Sequence, residues 1–364
     1  MVVGDMKRGS SESNVVALRL RALGDVLATL GALRALKEAG PGREVTYVVD
    51  EHFHPLLKNE PYIDRLMASP PKVRRPRDLA VFLRYVRDLR RLRADIVLDF
   101  HSNTRSAFIT SLSGARTRVG YDVKIRKAAY NVVEPRANFT DGRIEFWNSA
   151  QSSMRMARHA GATADQTALL PQLAVDTEAI RRGAELLTSA GVPADAVAAR
   201  TVVGLNPGRV YESKAWPQAH FVRLARELAG RGQPVVLLWG PGEREAADRI
   251  ANQAGDGVWL GPEVALEALP CVLKNLGFLV TIDSGLKHLA VCTGVSTVTI
   301  FGSTSPREWH IGTDRDGYIW KGYSCSPCRR LDCPMGAPCM GDVTPEDVLA
   351  EIGRLGLDGN GGQR

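Results

Sequence analysis

The sequence predicts an α/β protein of two Rossmann-like halves with mostly parallel sheets facing each other across a cleft. Three observations carry this. Short apolar runs alternate with helical patterns, the order that βαβ units require. The alternation lapses near residue 172 and restarts at residue 200. A length of 364 residues also suits two domains better than one. The expected divisions are a disordered tail over 1–13, a first half over 14–171, a connecting region over 172–199, a second half over 200–344, and a terminal helix and tail over 345–364.

In the first half, Val15 to Leu20 is a strand that gives way to a Gly24-Asp25 turn. A helix then runs through Val26, Leu27, Leu30, Leu33 and Leu36 until Gly40-Pro41-Gly42 stops it. Glu44 to Val49 and Asp95 to Phe100 are further strands, the second reached after an Arg-rich helix. In the second half, Thr201 to Leu205, Val235 to Trp239, Leu279 to Ile282 and Thr297 to Phe301 read as strands. Helices over Pro217 to Ala229, Glu243 to Ala254 and Leu286 to Cys292 intervene. Ligands of such sheets sit beyond the carboxyl ends of the strands, so the loops there are the candidate sites.

Asp283-Ser284-Gly285 closes one strand and opens a helix, whose free N–H groups and positive dipole end suit a pyrophosphate. Asp283 itself would repel phosphate and reads as a helix cap or a sugar-hydroxyl contact. His288, one turn in, reads equally as a core histidine. Arg209 and Lys214 bring positive charge to the loop after Asn206-Pro207-Gly208. A cation just before a helix start opposes the dipole, which favours a functional use for Lys214. Glu243, after Gly240-Pro241-Gly242, could accept from ribose hydroxyls or be a plain first-turn glutamate. In the first half Asp25 sits at a strand-to-helix turn where a general base could work. Asp99 and His101 offer a rival, with Arg105 nearby to hold an acidic group.

Charge supports an acidic partner. There are 47 Lys+Arg against 40 Asp+Glu, a net +7, with the excess concentrated between Arg65 and Lys127. Nucleic acid, anionic lipid head groups and a phosphorylated glycan all fit such a half, while Arg84 to Arg93 reads equally as a solvated helix face. No apolar run approaches ~20 residues, so no spanning helix is expected. The opening MVVGDMKRGSSESN lacks a signal-peptide core, which places the protein in the cytoplasm. Four of the six cysteines, Cys325, Cys328, Cys333 and Cys339, cluster in a Pro- and Gly-rich loop over 325–339. Four thiolates suit a structural zinc, with iron as an alternative and four reduced thiols as the plain reading.

Five segments together resemble glycosyltransferase family 9, the ADP-heptose lipopolysaccharide heptosyltransferases. They are RALGDVLATLGALRALK, DFHSNTRSAFITSLSGARTRVGYD, NPGRVYESKAWPQAHFVRLA, TIDSGLKHLAVCTGVSTVTIFGSTSP and CSPCRRLDCPMGAPCMGDVTPEDVL, in family order from about residue 18 to residue 349. The resemblance implies a GT-B fold and metal-independent, inverting transfer, with no cofactor needed for chemistry. It implies Asp25 as base, Lys214 as a contact to donor phosphate and sugar, Asp283-Ser284-Gly285 and His288 around the nucleotide-sugar, and Glu243 at the ribose. The implied partners are ADP-heptose, a lipopolysaccharide core acceptor and, peripherally, the anionic inner face of the inner membrane. Gly208-Arg209-Val210-Tyr211 departs from the paired hydroxyl residues of some members, which opens the identity of nucleotide and sugar. A related protein-modifying branch has a four-cysteine iron site.

Other classes fit less well. A nucleic-acid-binding protein with a zinc loop would need stacking aromatics, yet these are 6% and no RRM signature occurs. A nicotinamide-dependent oxidoreductase would need GxGxxG after its first strand, which is absent. A transferase of the same family with another donor or a protein acceptor remains the alternative. An inactive glycan-binding member is disfavoured by the retention of Asp25, Lys214 and Asp283.

Overall fold

The computed structural model describes residues 13–40, 42–70, 75–140, 143–163, 170–208 and 211–358, with side chains over 138–146 left aside. The expected tail over 1–12, the residues beyond 358 and Arg209 lie outside the described residues. Contacts divide the chain into two units, Met1–Pro171 and Gln172–Arg364.

The first unit carries β1 (Asn14–Leu18), β2 (Glu44–Val49), β3 (Arg65–Ala68), β4 (Ile96–Asp99), β5 (Thr117–Tyr121) and β6 (Val132–Glu134). They form one parallel sheet in the order β3-β2-β1-β4-β5-β6. A hairpin of β7 (Ala137–Thr140) and β8 (Arg143–Phe146) pairs antiparallel beside it in sequence. The second unit repeats the plan with β9 (Val203–Asn206), β10 (Val235–Leu237), β11 (Val258–Leu260), β12 (Phe278–Ile282), β13 (Ser296–Phe301) and β14 (Gly317–Trp320). Its order is β11-β10-β9-β12-β13-β14, again all parallel. The central strands are buried along their whole length, as parallel strands covered by helices on both faces must be. Both orders are the doubly wound arrangement, which reverses direction between β1 and β4 in one unit and between β9 and β12 in the other.

Two details differ from the sequence expectations. The first helix is broken at Thr29 into Leu23–Ala28 and Leu30–Glu38, because the Thr29 hydroxyl bonds back to the Val26 carbonyl at 2.7 Å and meets Tyr47 Oη at 2.6 Å. The segment over 172–199 also holds the helices Thr177–Ser189 and Ala194–Ala199. The longer one packs on the helix Leu269–Leu273 so closely that a Cβ on Gly183 would stand 2.2 Å from the Cys271 carbonyl oxygen. Its burial ties it to the second unit. The terminal helix Pro345–Arg354, opened by a Thr344–Asp347 capping box, delivers Val348 and Ile352 to that unit's core.

Candidate active site

In the second unit, the loops after β9 and β12 flank the reversal point. The chain turns from β12 at Asp283 into the helix Gly285–Thr293, whose N-cap is Ser284. Ser284 makes no side-chain capping bond, so its hydroxyl leaves the first N–H groups of the helix to a ligand. Asp283 is not the cap, which corrects that reading. Its buried carboxylate accepts from Lys214 Nζ at 2.8 Å and Thr304 Oγ1 at 2.7 Å, and Lys287 Nζ lies 3.5 Å away. Burial alone would raise this carboxyl, but the Lys287 and Lys214 ammonium groups hold it well below the usual range. Two ammonium groups against one carboxylate leave the end of β12 net positive.

Lys287 is the residue that the sequence reading missed. It is 1% exposed, donates to the Trp309 carbonyl and lies 5.2 Å from the Phe301 ring centre. Burial first, then the neighbouring Lys214, push its ammonium down to about 8 against the pull of Asp283 and Asp316. His288 is also buried, edge-on to Trp309, and burial keeps its ring neutral.

Lys214 ends a one-turn 3₁₀ segment, Glu212–Lys214, and reaches across to β12 rather than lying against the following helix Gln218–Gly230. The segment is anchored through Ser213, whose hydroxyl bonds the Arg330 carbonyl at 2.5 Å and meets Ser303 Oγ at 3.1 Å. The cysteine-rich loop is thus a buttress behind the Lys214 turn. Glu243 follows β10, next to β9, and accepts the Gly240 N–H at 2.9 Å.

Among the described residues no three His, Cys, Asp or Glu side chains converge closely enough to hold an ion. Cys325 is exposed, Cys328 and Cys333 are half-buried, and Cys339 is buried in the second unit's core, where Cys333 also packs. Burial, then the three neighbouring thiols, raise the Cys339 thiol and disfavour its thiolate. At least two of the four, Cys333 and Cys339, have a packing role in the second unit's core.

In the first unit, the loops after β1 and β4 meet at the other reversal point. Asp25 lies in the first turn of Leu23–Ala28, entered through Ala22 at φ 68, a strained value for a non-glycine residue. Its half-buried carboxylate pairs with Arg19, which also donates to the Phe100 carbonyl and so ties β1's loop to β4. Asp99, offered by the sequence as a rival base, is fully buried. One oxygen accepts the Ser102 and His101 N–H groups at 2.8 and 3.1 Å, and the other accepts the Tyr130 hydroxyl at 2.7 Å. Tyr130 gets there because Gly120 has no Cβ, which would meet its ring at 2.3 Å. His101 is pushed down to about 3 by burial and then by Arg19, Arg21, Arg105 and Arg136. Arg105 donates to Ser69 Oγ at 2.7 Å and to the Pro70 carbonyl, on the wall of a pocket of about 660 Å³ with Asp50, Glu51 and His52. Arg19, Arg21 and Arg136 were not singled out from sequence.

Two doubly wound units, each with charged loops at its reversal point, are the arrangement found in nucleotide-sugar transferases of the GT-B type. The chain belongs to glycosyltransferase family 9 (heptosyltransferase), whose family model matches residues 82–338. It is 28% identical over 335 residues to lipopolysaccharide heptosyltransferase 1 of Pseudomonas aeruginosa, covering 88% of this chain and 87% of that protein. Two solved folds from E. coli are similar. ADP-heptose LPS heptosyltransferase II has a TM-score of 0.74 at 20% identity, over 96% of this chain and all of that one (100%). Heptosyltransferase WaaC with ADP-2-deoxy-2-fluoro heptose has 0.70 at 22% identity, over 94% and 99%.

Proposed function

We propose that this glycosyltransferase moves heptose from ADP-heptose to an acidic lipopolysaccharide inner-core acceptor, with inversion at the anomeric carbon. The observation that carries the donor half is the net-positive Lys214–Asp283–Lys287 cluster beside an uncapped helix N-terminus. A leaving diphosphate needs its developing charge met there, and Lys214 and the helix N–H groups supply that. From its place in the sequence after Asn206-Pro207-Gly208, Arg209 is a further donor cation, and Glu243, after β10, serves the ribose. In the first unit Asp25 takes the acceptor hydroxyl's proton as that oxygen bonds the anomeric carbon and the bond to ADP breaks. Arg19, Arg21, Arg105 and Arg136 around a neutral His101 suit the acceptor's acidic groups. The acceptor's lipid link brings the protein to an anionic inner-membrane surface, although no described helix is long and apolar enough to cross a membrane.

Calorimetric titration tests the donor. ADP is expected to bind more tightly than UDP, and Lys214→Met to weaken ADP by roughly 10–100-fold through loss of a charge-assisted contact. Binding of neither nucleotide would refute the donor assignment, and a preference for UDP would exclude ADP-heptose while keeping the transferase.

Lys287 adds a pH dependence. As pH rises through about 8 its ammonium loses a proton and the donor cluster loses a positive charge. ADP affinity is expected to fall across that window, with His288 and His310 already neutral and Asp283 still ionised. Stability moves the other way. Between about 8 and the ordinary lysine range the unfolded chain holds a proton that the folded chain has released, so unfolding becomes harder as pH rises. A Lys287→Met variant should lose the affinity change; its persistence would assign it elsewhere.

A further inference from the structure

The helix Pro76–Arg91 fills the first unit's core with Phe82, Val86 and Leu89. Leu79 and Leu83, one turn apart on another side, are 49% and 58% exposed and contribute nothing to that core. Phe108, on the helix Thr104–Leu112, is 55% exposed, and its ring stacks on Phe82 with centres 5.6 Å apart. Arg90 Nε donates to the Leu112 carbonyl at 2.8 Å and holds the same two helices together further along. Thr104–Leu112 packs in turn on the 3₁₀ turn Lys124–Ala129, where Ile125 is 89% exposed. The apolar side chains stand among cations. The first helix has Arg77, Arg84, Arg87, Arg90 and Arg91 against Asp78 and Asp88, and the turn has Lys124, Arg126 and Lys127.

We infer that Leu79, Leu83, Phe108 and Ile125 insert into the surface of an anionic lipid bilayer, with Arg84, Arg87 and Lys124 against the lipid phosphates. Exposed aliphatic groups rimmed by arginine and lysine are the chemistry of an interfacial anchor, in which long basic side chains bury their stems and keep their charge at the headgroups. A second copy of the chain would bring these like charges face to face. Nucleic acid would satisfy the cations but leave the leucines and Ile125 uncovered, since base stacking uses aromatic rings. The inference deepens the proposed function, because a lipid-linked acceptor is presented at a bilayer, yet it stands on the surface alone.

The test is flotation of the full chain with vesicles of phosphatidylglycerol and phosphatidylcholine, or of phosphatidylcholine only, free of any glycan. The wild type is expected to float with the anionic vesicles and not with the neutral ones. Leu83→Asp/Phe108→Asp is expected to float roughly tenfold less at low salt, while binding ADP as the wild type does. Arg84→Glu/Lys124→Glu should lose binding likewise, and added salt should weaken the wild type only partly, because the apolar contribution is unscreened. The inference is overturned if the wild type stays at the bottom of the gradient, if the Leu83/Phe108 variant floats undiminished, or if neutral vesicles bind equally. It is also overturned if sedimentation shows a wild-type dimer that the variant loses. Failed flotation would leave heptose transfer to a lipid-free acceptor untouched, and failed transfer would leave flotation untouched.

Discussion

Asp25→Asn is expected to abolish heptose transfer while leaving ADP binding unchanged. The substitution keeps the side chain's size in the turn between β1 and the helix Leu23–Ala28, and Arg19 keeps its bond to the Phe100 carbonyl. What disappears is the only chemical task assigned to the residue, accepting a proton as the acceptor oxygen attacks. A positioned general base contributes about 10²–10⁴-fold, so kcat should fall by that factor. The donor groups Lys214, Asp283 and Lys287 belong to the second unit, and ADP presents no acceptor hydroxyl for Asp25 to deprotonate, so ADP affinity should stay within about twofold. Turnover by mass spectrometry and ADP titration on the same preparation separate the two. A variant that keeps more than about a tenth of wild-type turnover would remove Asp25 from the mechanism and leave the base unassigned. His101 would be the next residue to replace: its buried Nδ1 finds no hydrogen-bond partner and its ring is neutral.

The sequence revealed what continuous burial makes visible. β1, β2, β4, β9, β10, β12 and β13 lie in the middles of their sheets, and buried on both faces they read as short runs rich in Val, Ile, Leu and Phe. The strands overlooked were mostly outer or mixed: β3, β11 and β14 are short and half-buried, β6 has only three residues, and β5 reads TRVGY. Of the site, the loops after strands were legible because Gly, Asp and Ser punctuate them. Asp99 stands out beside His101 at a strand end, and in the fold its carboxylate closes a turn on the Ser102 N–H. Lys287 had a signal: it lies between Leu286 and His288 in a helix buried on nearly every side, where a solvated lysine has nowhere to go. Arg19, Arg21 and Arg136 had none. Arg19 and Arg21 follow β1 and Arg136 follows β6, and only the fold brings them round His101 with Arg105.

The charge cluster also makes Asp283→Ala the most destabilising change expected in the second unit. It would leave Lys287, 1% exposed and too deep to reach water, as an unpaired buried cation. Breaking a buried pair in this way costs about 3–5 kcal/mol. Lys287→Met alone should cost far less, because Asp283 keeps Lys214 at 2.8 Å and Thr304 at 2.7 Å while the penalty for burying an ammonium disappears. In Asp283→Ala/Lys287→Met both charges are gone and Lys214, 20% exposed, can turn to solvent, so stability should return to within about 1–2 kcal/mol of wild type. Five of the six tryptophans lie in the second unit, so their fluorescence during urea unfolding reports its stability. The double variant then separates two roles for Asp283. Wild type carries two lysines against one carboxylate and the double variant carries Lys214 alone, so the net charge at the end of β12 is the same. If Asp283 acts by holding and balancing the lysines, the double variant should bind ADP within a few-fold of wild type, while Asp283→Ala alone loses binding with its fold. A double variant that is stable but binds no ADP would instead make the Asp283 carboxylate a direct contact to the donor. Additive losses of stability in the two single variants would refute the pairing itself.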